Sequence, residues 1–235
     1  MALAMKTPVE TCLDDAAYTI CMLSKYPENT VLVELGQRLT AGRTELAQAA
    51  RVVEDAEETL LVARVEVKFE DHASDEWLRR LHNQAQAADG HKGGRVSTTV
   101  FPDGLSEITR RQGPAQIKLM RDVEGRLEHM TDWPDAPGQH AALIVRRTGY
   151  EAALQARSAA ERQAKDARTA RDAVKGRFLD LYAEIAGRIQ AEFPRNRRMQ
   201  ELFFDTSRTR RRPRVGGPGE TPPGEPEPGE AGGAV

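Results

Sequence analysis

Large side chains are scarce in this chain. Phenylalanine, tryptophan and tyrosine make up 5% of its 235 residues, too few to fill a thick globular interior. No stretch approaches the ~18 consecutive apolar residues that a membrane span requires. The opening MALAMKTPVE has no apolar core of signal-peptide length. The formal charge is −2, so no single sign dominates and no bulk attraction to polyanions or polycations is expected. The two cysteines, Cys12 and Cys21, fall nine residues apart on a predicted helix. They would face opposite sides of it, which argues against a disulfide between them and fits free thiols in a reducing compartment. These absences point to a cytoplasmic protein with no membrane association.

Dedicated chemical sites are missing in the same way. A carboxylate-bridged di-metal centre in a helical bundle needs Glu-x-x-His pairs. The residues three before His72, His82, His91, His129 and His140 are Phe69, Arg79, Ala88, Arg126 and Pro137. There is no His-x-x-x-His pair and no zinc-type cysteine spacing, so no metal and no cofactor is expected. The loop Gly90-His91-Lys92-Gly93-Gly94-Arg95 lacks the spaced Gly-Lys-Ser/Thr of a phosphate-binding loop and reads as a helix terminus. Ser97, Thr98 and Thr99 have no histidine or carboxylate placed beside them by the sequence, so the chain is read as a non-enzyme.

What is present is helical periodicity. Thr7-Pro8-Val9-Glu10 predicts a helix start, with Val9, Leu13, Ala16, Ile20 and Leu23 on one face. Tyr26-Pro27 ends or kinks that helix, and Asn29 or Thr30 can cap the next. From Val31 to Ala88 there is no proline, and glycine occurs only at 36 and 42. One heptad seam runs through Leu32, Leu39, Leu46, Val53, Leu60, Val67, Ser74 and Leu81, and a companion through Leu35, Gly42, Ala49, Ala56, Ala63, Glu70 and Trp77. Phe69–His72 is the weakest stretch, where a kink could fall. Three glycines from 90 to 94 end the helix.

The β-branched run Val96–Phe101, the turn Pro102-Asp103-Gly104 and the segment Leu105–Thr109 predict a small β-hairpin. Gly113-Pro114 opens a further helix, with Ile117, Met120, Val123, Leu127 and Met130 on one face. A second long helix is expected over 139–193. Its seam is Ala153, Ala160, Ala167, Val174 and Leu181, and its companion Tyr150, Ala164, Phe178 and Ile185 is interrupted by Arg157 and Arg171. Residues 1–88 carry 9 basic and 15 acidic side chains, and residues 136–193 carry 10 and 7, so an acidic helix and a basic one are natural antiparallel partners.

The expected fold is therefore mainly α, an elongated antiparallel coiled-coil hairpin of two long helices within residues 1–206. A β-hairpin and short helix over 95–130 would form a head. Met199, Leu202, Phe203 and Phe204 would pack with the N-terminal helix at the other end. Residues 207–235 read as a disordered tail, arginine-rich and then rich in proline, glycine and glutamate. A sustained seam without a catalytic constellation points to a structural or protein-interaction role, through a protein partner or self-association. The alternative is a nucleic-acid accessory protein. Its phosphate contacts would come from Arg195, Arg197, Arg198, Arg208, Arg210, Arg211, Arg212 and Arg214. A small-molecule or enzymatic site at the glycine loop is the weakest reading.

Overall fold

The computed structural model describes residues 3–205. Among them are seven helices: α1 (Val9–Leu23), α2 (Thr30–Asp89), α3 (Arg95–Val100), α4 (Leu105–Thr109), α5 (Pro114–Glu128), α6 (Ala136–Glu192) and α7 (Arg197–Leu202). The two long helices pack along one another. Their interhelical ion pairs are Arg38–Glu184, Glu45–Arg177, Glu57–Arg168 and Glu70–Arg146. Residue numbers fall along α6 as they rise along α2, so the pair is antiparallel. The charge complementarity between the two segments takes the form of this ladder.

All eight residues of the first predicted α2 seam are buried, from Leu32 to Leu81. Asn29 accepts a hydrogen bond from the Leu32 amide at 3.1 Å and caps the helix. At its other end Gly90 takes the left-handed conformation, φ 72°, that a C-terminal glycine permits. α2 is an unbroken 60-residue helix through Phe69–His72, roughly 90 Å long. Past Val67 the buried positions become Ser74, Leu78, Leu81 and Ala85, one residue beyond the expected Trp77. An undistorted helix drifts in this way from a strict heptad, and the drift turns α2 toward the head.

Three cores follow one another along the pair. The base core joins α1, the start of α2, the end of α6 and the α7 segment around Leu35, Tyr182, Ile185 and Phe203. The middle core is thin, with Ala56, Leu60 and Ala63 against Ala160 and Ala164. The head core gathers Leu78, Leu81, Val100, Phe101, Met120, Val123, Trp133 and Leu143. In the base, Phe203 and Phe204 are buried as expected and Met199 is partly buried, whereas Leu202 is 45% exposed.

The predicted β-hairpin is absent. Residues 95–100 and 105–109 are the short helices α3 and α4, and the described residues contain no strand. Val96 and Val100 are spaced i, i+4, so both reach the core from one helical face as readily as alternating strand positions would. The deciding contact comes from Asp89. Its carboxylate accepts from the Val96 and Ser97 amides, both at 2.8 Å, and satisfies the first turn of α3. Thr98 donates back to the Gly94 carbonyl at 2.7 Å. Gly104, at φ 79°, makes the expected turn, but between two helices.

Candidate functional site: the outward face of α2

Between base and head, α2 and α6 have only each other among the described residues. Small side chains line their contact, while larger ones face away from it. Leu61, Val62, Val65 and Phe69 are 60%, 64%, 61% and 60% exposed. At about 100° per residue they form one stripe, opposite the buried line Ala56–Leu60–Ala63–Val67. Scattered exposed apolar residues are ordinary, but four contiguous ones on one helical face mark an unpartnered surface. The stripe continues into charge on both sides. Toward the base lie Glu54, Asp55 and Glu58, which form no ion pair among the described residues. Toward the head lie His72, Glu76, Arg79 and Arg80, with Glu76 bonded to Arg79 at 2.7 Å.

Two concave regions flank this face. At the base a cavity of about 590 Å³ opens between α1 and α2, lined mainly by apolar groups of Ile20, Leu23, Leu32, Val33 and Gly36. At the junction of arm and head a cleft of about 530 Å³ is lined by Arg64, Lys68, Asp71, Gly113, Tyr150 and Arg157. Three cations there face one carboxylate, yet Arg64 and Lys68 are solvated at the surface. Arg157 lies 3.5 Å from Glu161. Arg157 Nε is buried there without a hydrogen-bond partner, but the other two cations are open to solvent, so the cleft is mainly a charged surface.

Polar networks rigidify the elements around these regions. The Tyr150 hydroxyl donates to Asp71 at 2.7 Å and accepts from the Gly113 amide at 2.8 Å. Burial, reinforced by Asp71, pushes its titration well above the ordinary tyrosine range. Gln116 donates to Asp75 at 2.8 Å. Burial and the neighbouring Asp71 raise the Asp75 carboxyl. Arg147 bridges Glu124 and Glu151, each at 2.7 Å, and its hydrogen bond to Glu124 raises the guanidinium further. At the base, Lys175 is buried and donates to the Met5 and Thr7 carbonyls at 2.7 and 2.6 Å, tying the N-terminal segment to α6. Burial of Tyr182 beside Thr19 pushes its hydroxyl up to about 12.

Of the arginines singled out by sequence, three are described. Arg195 has a positive φ of 65° at the turn into α7, Arg197 pairs with Glu201 at 2.8 Å, and Arg198 is exposed. Arg208, Arg210, Arg211, Arg212 and Arg214 lie outside the described residues, as does the predicted tail. The glycine loop serves the α2–α3 connection: a Cβ on Gly94 would sit 2.3 Å from Asp89 Cγ, where the capping carboxylate lies. His91 Nδ1 is 2.9 Å from the Asp89 carbonyl oxygen. Cys12 is buried and Cys21 exposed, both free, as their spacing implied. No three histidine, cysteine, aspartate or glutamate side chains gather into a metal-binding group among the described residues. None of the described helices is long and apolar enough to cross a membrane.

Sequence reasoning passed over two features. Lys175 falls beside the predicted seam position Val174 and would be read as solvated, because nothing in sequence announces the carbonyls it meets. The Leu61-Val62, Val65, Phe69 stripe was legible as a second apolar line opposite the first, but the strict heptad drew the reading to one face only. No family model matches the chain, and no curated protein or solved structure shows significant similarity to it.

Proposed function

We propose that this chain is a non-enzymatic interaction protein, a helical arm that holds two folded ends apart and docks a protein on the outward face of α2. The observation that carries this reading is the inversion of bulk in the arm. Alanines around a single leucine, Leu60, form the inner core of the arm, and Leu61, Val62, Val65 and Phe69 sit outside, exposed. A helix face of this kind is what an amphipathic partner helix covers. The packed cores at base and head, with the polar networks of the head, hold the face on a rigid support.

The test is affinity capture from native lysate by the full chain and by its Val65→Glu/Phe69→Glu variant, each with and without nuclease. A defined protein partner that survives nuclease and is lost with the variant supports docking on α2. Recovery that ignores the variant overturns it. The nucleic-acid reading rests on the eight arginines between 195 and 214. It gains if recovery collapses with nuclease, is weakened by salt and is lost on truncation after Asp205.

A further inference from the structure

We infer that the occupant of the α2 face is a second copy of this chain, laid antiparallel against the first, an assignment that rests on reading the face as a docking surface. A two-fold interface must be complementary to itself, because each patch meets its own copy. The outward line of α2 has this property. Its apolar centre is Leu61–Phe69, with Glu54 and Asp55 toward one end and Arg79 and Arg80 toward the other. Glu54 and Arg80 stand equally far, thirteen residues, from position 67, and Asp55 and Arg79 each stand twelve. An antiparallel pair centred there sets Glu54 and Asp55 of each copy level with Arg80 and Arg79 of the other, while Glu58 falls level with Glu76, whose charge Arg79 already meets within its own helix. It also brings Val65 level with Phe69 in both halves. A parallel pair would oppose acids to acids and arginines to arginines.

The face is open along this length. Val62, Val65, Phe69, His72, Arg79 and Arg80 are all exposed, so the head packs elsewhere on α2 and leaves room for a neighbour. The paired stretch, 54 to 80, spans roughly 40 Å at 1.5 Å per residue. Two such helices in contact bury on the order of 1,000 Å², the lower bound for a specific interface. The result is a four-helix layer, α6–α2 against α2–α6, in which the exposed apolar stripe becomes a core. The large outward side chains then compensate for the alanine-lined inner seam.

The experiment is sedimentation equilibrium of the full chain between ~1 and ~100 µM, where an interface near this lower bound dissociates. The expected result is a monomer–dimer equilibrium. Val65→Glu/Phe69→Glu should weaken it at least ~100-fold, since these are its central apolar contacts. Arg79→Glu/Arg80→Glu should weaken it about 10-fold, and adding Glu54→Arg/Asp55→Arg to that same chain should bring it back to within about 3-fold of the parent. Only the antiparallel arrangement gives this same-chain restoration. Circular dichroism checks that each variant keeps its helices, and the charge swap tests the inference even if the apolar variant fails to fold.

A chain monomeric throughout the range overturns the inference. So does a dimer indifferent to both sets of substitutions, or one in which the charge swap restores nothing. A monomer whose captured protein partner is still lost with Val65→Glu/Phe69→Glu would overturn the second copy and leave the docking face standing. Indifference of both self-association and capture to the stripe would overturn both.

Discussion

The two ends of the molecule and the arm between them share one heptad pattern but solve the packing problem differently. At the base, α1 and the α7 segment lie over the long pair. Phe203 fills the centre, with its ring 5.5 Å from Tyr26 and 5.6 Å from Phe193. At the head, α3, α4 and α5 do the same with Phe101, Met120 and Trp133. In the arm the described residues form no third layer, and the seam narrows to Ala56, Ala63, Ala160 and Ala164 around Leu60. A seam of two helices buries one stripe of each, so the stability of the arm is borrowed from its ends. The arm is also where a large apolar surface faces outward. The chain is closed at its ends and open in its middle.

If the ends carry the fold, core deletions there should dominate. Phe203→Ala removes a fully buried ring and should cost about 3–5 kcal/mol, read as a drop in the urea midpoint. At the head, Tyr150→Phe removes only a hydroxyl, yet it leaves the Gly113 amide and a half-buried Asp71 without their shared partner. A cost of about 1–3 kcal/mol is expected, with faster amide exchange at the Gly113 turn and the first turn of α5. Asp75 gives a pH signature of the same end. Burial, with Asp71 second, raises its folded-state pKa above the ordinary 3.8. The folded chain then holds more of this proton than the unfolded chain, so stability from this group falls as pH rises above 3.8 through the raised value. Asp75→Asn should therefore match the parent below that window and be the more stable of the two at neutral pH. Paired urea titrations at acid and neutral pH would show whether the gap opens in that direction.

How much of this was legible follows from which forces act locally. The seam from Leu32 to Leu81, the Asn29 cap, the Gly90 stop and the acidic–basic pairing of the long helices are patterns along one strip of sequence, and each is present in the fold. The hairpin failed because Val96-Ser97-Thr98-Thr99-Val100 satisfies both periods over so short a span. What decides it is Asp89, a side chain from the preceding helix, whose carboxylate occupies the first turn of α3. The buried polar residues Thr19, Gln116, Glu124 and Lys175 were equally hidden. Their partners are distant in sequence: Thr19 donates to the Phe203 carbonyl at 2.8 Å, 184 residues away. The outward stripe of α2 was legible in principle, since it needs only the helical period applied to the face opposite the seam.

The smallest effect belongs to the arm, and it bears most directly on the contrast. Arg168 and Glu57 join α6 to α2 at 2.9 Å, with side chains 47% and 49% exposed. Exposed pairs of this kind contribute about 0–1 kcal/mol, because water screens both charges and ordering two long side chains costs entropy. Arg168→Ala should therefore move the urea midpoint only slightly, and the difference should vanish near ~1 M salt, where the screening length falls to about 3 Å. A loss as large as that of Tyr150→Phe would mean that the ladder holds the arm together by its charges. The ends would then not be the source of its stability, and the outward apolar face would need no cover to keep two helices side by side. A negligible loss leaves the arm dependent on its ends and on whatever covers Leu61, Val62, Val65 and Phe69.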